Sequence, residues 1–326
     1  MEYDDLSPDR VLNAVESQGL AVDGRYIVLN SYENRVYQVN LDDQDPVIAK
    51  FYRPKRWSNE TLIEEHAYTL QLAEHELPVI APWQNTQGET LFEFEGHRFT
   101  IYPRKGGHPP EPGHLDQLYR LGGLMGRMHA IGATHAFEHR PALSIESHCI
   151  EPSAFLLEHD FIPPEHQSHY QALINEIAEL IETAWQTVPH LQTIRTHGDC
   201  HLSNIIWSRD DRPWLLDFDD CRMAPAIQDL WMLIHGEPDQ QALQLSELLE
   251  GYQAFYDFNL AELKLIEPLR ALRMIQYSGW LAKRWQDPAF PQHFPWFNTP
   301  QYWQQHITEL NHQIFTIKQP ALSLFN

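Results

Sequence analysis

The sequence predicts an α+β fold in two lobes: a small, mainly-β N-terminal lobe carrying one key helix, and a larger helical C-terminal lobe. Three observations carry that reading. Alternating apolar patterning recurs between Tyr26 and Tyr102. A tract dense in proline and glycine, Pro103-Arg104-Lys105-Gly106-Gly107-His108-Pro109-Pro110, then ends it. Beyond that break, nearly every long segment repeats its apolar residues at helical spacing. The lobes are expected at 1–104 and 105–326, with a hinge around 102–108.

Ser7-Pro8 reads as an N-cap with a first-turn proline, opening a short helix through Val11, Leu12 and Val15 that Gly19 closes. Strands follow at Tyr26–Leu29, Val36–Val39 and Val47–Phe51. They are separated by a polar turn at Asn30–Arg35 and a second turn at Asp42–Pro46. A helix from about Thr61 to Glu74 is expected to carry Ile63, Ala67 and Leu70 on one apolar face, and Leu77-Pro78 ends it. Two more strands flank Glu95-Gly96. In the second lobe, helices are marked by Leu118 to Met128, by Leu173 to Trp185, by Leu245 to Phe255, and by Ala261 to Trp285. Between them, Asn204–Trp207 and Trp214–Asp217 read as a hairpin.

The chain has 326 residues, is 43% hydrophobic and carries a formal net charge of -22. So acidic a surface repels phosphate backbones and anionic lipid, so no nucleic acid and no membrane partner is expected. The start, Met1-Glu2-Tyr3-Asp4-Asp5, is acidic and has no apolar stretch, so no secretory leader is expected. Three cysteines make no disulfide framework and fit a reducing cytoplasm. A monomer is expected.

The chemistry concentrates in His197-Gly198-Asp199-Cys200-His201-Leu202-Ser203-Asn204. Asp199 and Asn204 stand five apart, and Asp217 follows thirteen residues later. Phosphoryl transfer asks for these residue types. A carboxylate takes the proton of an attacking hydroxyl, and amide and carboxylate oxygens hold Mg²⁺. The spacing equals that of H-R-D-L-x-x-x-N followed by D-F-G, with Gly198 in place of arginine. The expected roles are Asp199 as base and Asn204 and Asp217 as metal ligands, Asp217 counting also as catalytic. Lys50, ending Val47-Ile48-Ala49-Lys50, is expected on the phosphates of ATP. Glu65 is preferred as its orienting partner, with Glu64 the competitor and Glu60 third. In the turn Asn30–Arg35, Ser31, Asn34 and the N–H groups of Tyr32 and Glu33 are placed to cap phosphate oxygens, though the turn reads equally as a plain polar β-turn.

His197, Cys200 and His201 resemble a zinc cluster, but Gly198 and the loop context disfavour ligation, and His197 is expected to brace the loop instead. Asp229 is expected at the start of an apolar helix, supporting the catalytic loop. The aromatic tract Phe290 to Phe297 is expected to pack on the helical lobe.

The H-G-D-x-H-x-x-N loop followed by a strand ending in aspartate resembles the aminoglycoside phosphotransferase/choline kinase-like superfamily, and with it a bilobal protein-kinase-like fold. Longer strings resemble the bacterial stress response kinase A family across nearly the whole chain. They include Asn30-Ser31-Tyr32-Glu33-Asn34-Arg35-Val36-Tyr37, Lys50-Phe51-Tyr52-Arg53-Pro54 and Ile266-Glu267-Pro268-Leu269-Arg270-Ala271-Leu272-Arg273. The resemblance implies a cytoplasmic serine/threonine protein kinase of the stress response that protects from cell death. It implies Asp199 as proton acceptor, Asn204 and Asp217 on Mg²⁺, and Ser31 at the ATP site. Leu202-Ser203 depart from the alanine and glycine expected there. Only twelve residues separate Asp217 from Asp229, too few for the substrate-gripping segment of protein kinases. A small-molecule acceptor, an amine such as choline or an aminosugar held by Asp219, Asp220, Glu111 or Glu151, therefore stays as the alternative to a protein.

Overall fold

The computed structural model describes residue 3 and residues 6–324. Met1, Glu2, Asp4 and Asp5, on which the reading of the acidic start rests, lie outside them. Ser7 accepts the Arg10 N–H at 3.3 Å, and with Pro8 in the first turn it starts helix α1 (Pro8–Glu16). Strands β1 (Val22–Leu29), β2 (Arg35–Leu41) and β3 (Gln44–Phe51) form an antiparallel meander. The second turn is tighter than expected: Asp43 adopts φ 55, which lets β3 begin at Gln44. Helix α2 (Asn59–Glu74) follows, its Ser58 cap accepting the Thr61 N–H. The hairpin β4 (Phe92–Phe94) and β5 (His97–Pro103) turns through Glu95 and Gly96, both at positive φ. The sheet order is β1-β2-β3-β5-β4. Val39, Ala49, Phe51, Phe99 and Ile101 on one face pack against Val11, Ala14 and Val15 of α1.

Helix α2 turns the face carrying Ile63 and Ala67 outward. Ile63 is 51% exposed and Ala67 is also exposed, while Leu62, Glu65, His66, Tyr68 and Thr69 are buried. Apolar spacing misled because the buried face carries polar groups with partners: His66 contacts the Tyr52 hydroxyl at 2.6 Å and Thr90 at 2.8 Å. The face that looks inward serves the charged cleft.

The C-terminal part comprises α3 (Leu115–Gly132), α4 (Glu151–Glu158), α5 (Pro164–Gln186), strands β6 (Ile194–Thr196), β7 (Ile205–Trp207), β8 (Pro213–Leu215) and β9 (Arg222–Ala224), then α6 (Pro238–Gln253), α7 (Ile266–Lys283), α8 (Ala289–His293) and α9 (Pro300–Ile317). The expected helical stretches fall on α3, α5, α6 and α7. Phe255 lies beyond α6 and is exposed. The long helix expected from Ala261 is divided into a 3₁₀ turn, Leu260–Leu265, and α7. Pro268 explains the division: it has no N–H to give a preceding turn, and starting α7 at Ile266 puts it where none is required. Helices α3 and α6 cross in close contact, since a Cβ on Gly122 would stand 1.9 Å from the Leu248 carbonyl oxygen. Phe290, Phe294 and Phe297 are buried in the helical core. Two small antiparallel ladders, β6–β9 and β7–β8, frame the loop that holds the sequence motif.

Candidate active site

The loop between β6 and β7 is fixed from below by Asp229. Its carboxylate is fully buried and accepts the N–H of His197 at 2.7 Å and of Gly198 at 2.8 Å, and it contacts His129 Nε2 at 3.0 Å. Asp229 ends a 3₁₀ turn, Ala226–Asp229, rather than starting a helix. The helix-terminal rationale for it therefore fails, while its support of the loop is direct hydrogen bonding. His197 braces the other side through Nε2 to the Leu216 carbonyl at 2.9 Å. Gly198 sits at φ 82, and a Cβ there would meet the Asp220 carbonyl oxygen at 2.1 Å. An arginine at this position would be strained and would push the Asp220 backbone away.

Asn204 donates Nδ2 to the Asp199 carbonyl at 3.0 Å, which leaves its Oδ1 for a cation. Asp217 follows β8 in a left-handed conformation, φ 63, that turns the chain sharply at the cleft. Its side chain is 46% exposed, with Oδ1 at 2.7 Å from Lys50 Nζ. One amide oxygen and one half-free carboxylate facing the same cleft suit a hard divalent cation that keeps several waters. Asp199 is held by Arg273 on Oδ1 and by His201 Nε2 at 3.3 Å on Oδ2. Burial works to raise its pKa, but the His201 hydrogen bond and the Arg273 charge hold it well below the ordinary carboxylate range.

Lys50 is buried and donates to Asp217 and to Asp219. Burial opposes its charge, yet the two carboxylates outweigh burial and hold its pKa above the ordinary value. The expected pairing with Glu65 is absent here. Glu65 is buried beside the cleft, its nearest cation is Arg140 at 3.5 Å, and its Oε2 has no hydrogen-bond partner. Burial and the nearby Asp219 push the Glu65 carboxyl up to about 8. Glu64 is spent elsewhere, accepting the N–H groups of Glu138, His139 and Arg140.

The turn after β1 also departs from expectation. Ser31 lines the cleft. Asn34 is buried at the cleft, giving Nδ2 to Asp219 and taking the Arg53 N–H at 3.2 Å. Glu33 takes Trp280 Nε1 at 2.6 Å and Arg284 Nη2 at 2.8 Å from α7. Tyr32 packs on Phe294 with ring centres 4.8 Å apart. The turn is thus fastened to the helical part.

The cleft measures roughly 670 Å³ and is lined by Ser31, Lys50, Asp199, Asn204 and Asp217 together. Glu65 does not line it. Of the residues expected to hold an amine, Asp219 and Asp220 line the cleft. Asp219 and Asp220 already pair with Lys50, Arg56 and Arg222, and Glu111 and Glu151 lie outside the cleft. Sequence reading missed Arg56, Arg140 and Arg273, whose partners stand far away in the chain. It also missed Asp219 as the Lys50 partner; the only local signal was the pair Asp219-Asp220 itself.

A two-part α+β frame with a cationic side chain, an amide and two carboxylates converging on one cleft defines a phosphotransferase of kinase-like build. Residues 26–266 match the phosphotransferase enzyme family. Over 322 residues the chain is 39% identical to "Stress response kinase A" of Escherichia coli O157:H7, spanning 99% of this chain and 97% of that protein. It is 38% identical to "Serine/threonine protein kinase RdoA" of Salmonella typhimurium strain LT2 with the same coverage. The chain belongs to the phosphotransferase enzyme family and, within it, to the stress response kinase A family. Solved structures share the fold at low identity. An amicoumacin kinase in complex with AMP-PNP, Ca²⁺ and Ami has TM-score 0.73 at 17% identity, covering 100% of this chain and 96% of that one. The choline kinase LicA from Streptococcus pneumoniae has TM-score 0.64 at 15% identity, covering 94% and 99%.

Proposed function

We propose that the protein is an ATP- and Mg²⁺-dependent serine/threonine protein kinase of the stress response. The observation that carries the reading is the meeting of Lys50, Asp199, Asn204 and Asp217 on one cleft, although they come from three separate stretches of the chain. In the proposed step an acceptor Ser or Thr hydroxyl attacks the γ-phosphorus of ATP. The bond to the β–γ bridging oxygen breaks, ADP leaves, and the hydroxyl proton passes to Asp199. Asn204 and Asp217 are the residues suited to hold Mg²⁺, which when bound neutralises the phosphate charge. Lys50 would be free to turn from Asp217 to the phosphates if that carboxylate held the cation. Ser31 and the backbone around it cover the nucleotide. We place the division between lobes at residues 104 and 105.

Serine/threonine acceptors are supported by the relative from Salmonella typhimurium that carries this description. The competing acceptor is a small amine, favoured by the short stretch between Asp217 and Asp229. The deciding experiment supplies γ-labelled ATP with Mg²⁺ to a mixture of serine- and threonine-containing polypeptides and amino alcohols. Label on serine or threonine is expected; label on amino alcohols alone overturns the reading. Asp199→Asn is expected to lower turnover by ~10²–10⁴-fold, the usual worth of a positioned base. Turnover at the wild-type rate would remove Asp199 from that role.

A further inference from the structure

Charge on the cleft runs against charge on the whole molecule. The protein carries -22 formally, which favours cationic partners at long range. Yet the cleft is lined by six Lys/Arg side chains against five carboxylates. At physiological ionic strength, charges beyond about 8 Å are largely screened, so the local balance decides what binds.

That balance gives a cationic acceptor little advantage. Each carboxylate on the cleft is already matched: Glu33 by Arg284, Asp217 and Asp219 by Lys50, Asp220 by Arg56 and Arg222, and Asp199 by Arg273. An ammonium entering there would compete with these cations for the same carboxylates. The cations differ among themselves. Arg56 and Arg222 are 15% and 10% exposed and share the half-buried Asp220 carboxylate. Arg273 is 42% exposed, and Asp199 is its only ion pair among the described residues. It projects from the face of α7 that also brings Leu269, Gln276, Tyr277 and Trp280 to the cleft. Arg273 therefore sits on the proposed base, at the acceptor end, with room to move.

We propose that Arg273 selects the acceptor: its guanidinium leaves Asp199 as the acceptor hydroxyl arrives and pairs with an acidic side chain flanking the acceptor Ser or Thr. The inference rests on the protein kinase reading above and gives it a substrate class, acidic peptide segments lying along α7. Exchange of one carboxylate partner for another keeps the guanidinium paired throughout, and it frees Asp199 for the incoming proton. A peptide with lysine or arginine at the same place would face Arg273 with a like charge.

The test uses the full chain with Mg²⁺ and ATP and three peptides of one sequence. Their acceptor is flanked by Asp/Glu, by Gln/Asn or by Lys/Arg. The acidic peptide is expected to exceed the basic one by about tenfold in kcat/KM, the size that a half-exposed ion pair and its reversal can supply. Arg273→Lys is expected to keep the order of the three peptides and Arg273→Glu to reverse it. A ratio that favours the basic peptide, or one that Arg273→Glu leaves unchanged, overturns the role of Arg273 while the kinase reading stands. Phosphate on amino alcohols and on none of the peptides overturns both.

Discussion

The Lys50 ammonium donates to the Asp219 carboxylate across 169 residues of chain, and both side chains are 7% exposed. The same carboxylate takes Asn34 from the turn over the cleft, and its backbone carbonyl takes Arg140. Asp219 thereby joins the strand lysine, the turn and the loop carrying Asp217. Removing one member of a buried, hydrogen-bonded ion pair leaves the other charge uncompensated, at a cost of about 3 kcal/mol or more. Asp219→Asn is expected to lower Tm by several degrees and to weaken ATP binding. Glu65→Gln leaves both Lys50 partners in place and is expected to cost far less. Thermal unfolding of the two variants side by side checks this; an equal loss would return the lysine to Glu65.

Glu65 gives a pH dependence of known sign. Burial raises its carboxyl from 4.5 to about 8, so the folded protein holds a proton there that the unfolded chain releases. Stability from this group is complete below about 4.5 and is lost as pH rises through about 8. In Glu65→Gln this loss is removed. The Tm of the variant relative to wild type is expected to climb between those two pH values, and a constant difference would show that Glu65 is ionised throughout.

The residues that make the cleft were legible where they lie close in sequence. His197 to Asn204 and the later Asp217 form one loop and one hairpin, so spacing alone places them. Lys50 was legible because Val47-Ile48-Ala49-Lys50 is much like the V-A-I-K element of kinases. The partners were not. Arg273 reaches Asp199 across 74 residues, and nothing near Arg273 in the chain marks it as facing a cleft rather than solvent. On α2 the apolar pattern pointed outward, because a buried face lined by Glu65 and His66 looks polar in sequence. Ion-pair choice, such as Asp219 over Glu65 for Lys50, depends on placement in three dimensions and on burial, neither of which periodicity encodes.

Asp229 holds two adjacent backbone N–H groups, of His197 and Gly198, together with the His129 ring. A buried donor left without an acceptor costs about 1–3 kcal/mol. Asp229→Ala orphans two of them and is expected to destabilise by about 3 kcal/mol, with turnover falling more than tenfold as Asp199 loses its position. Unfolding midpoints and kcat report the two effects. Full activity in a destabilised variant would mean that the loop keeps its shape without Asp229.

Glu33 fastens the turn over the cleft to α7. Its carboxylate is only 13% exposed, takes Arg284 and Trp280, and lies 3.2 Å from Arg53 and 3.7 Å from Arg56. Burial works to raise its pKa, but Arg56 and Arg284 hold it below the ordinary 4.5. A depressed carboxylate stabilises the fold above its unfolded pKa, and that contribution fades as pH falls through the lower folded value. Glu33→Gln keeps the shape and removes the charge. The turn is then freer to lift from α7, and ordering it on the nucleotide carries a larger entropic cost. ATP affinity is expected to fall about tenfold, equivalent to ~1.4 kcal/mol, while transfer from bound ATP changes less. The acid-side loss of stability below pH 4.5 is expected to flatten in the variant. Calorimetric titration of ATP with Mg²⁺ checks the first expectation and acid unfolding the second. Unchanged affinity beside a flattened acid limb would make Glu33 a purely structural latch with no hold on the nucleotide.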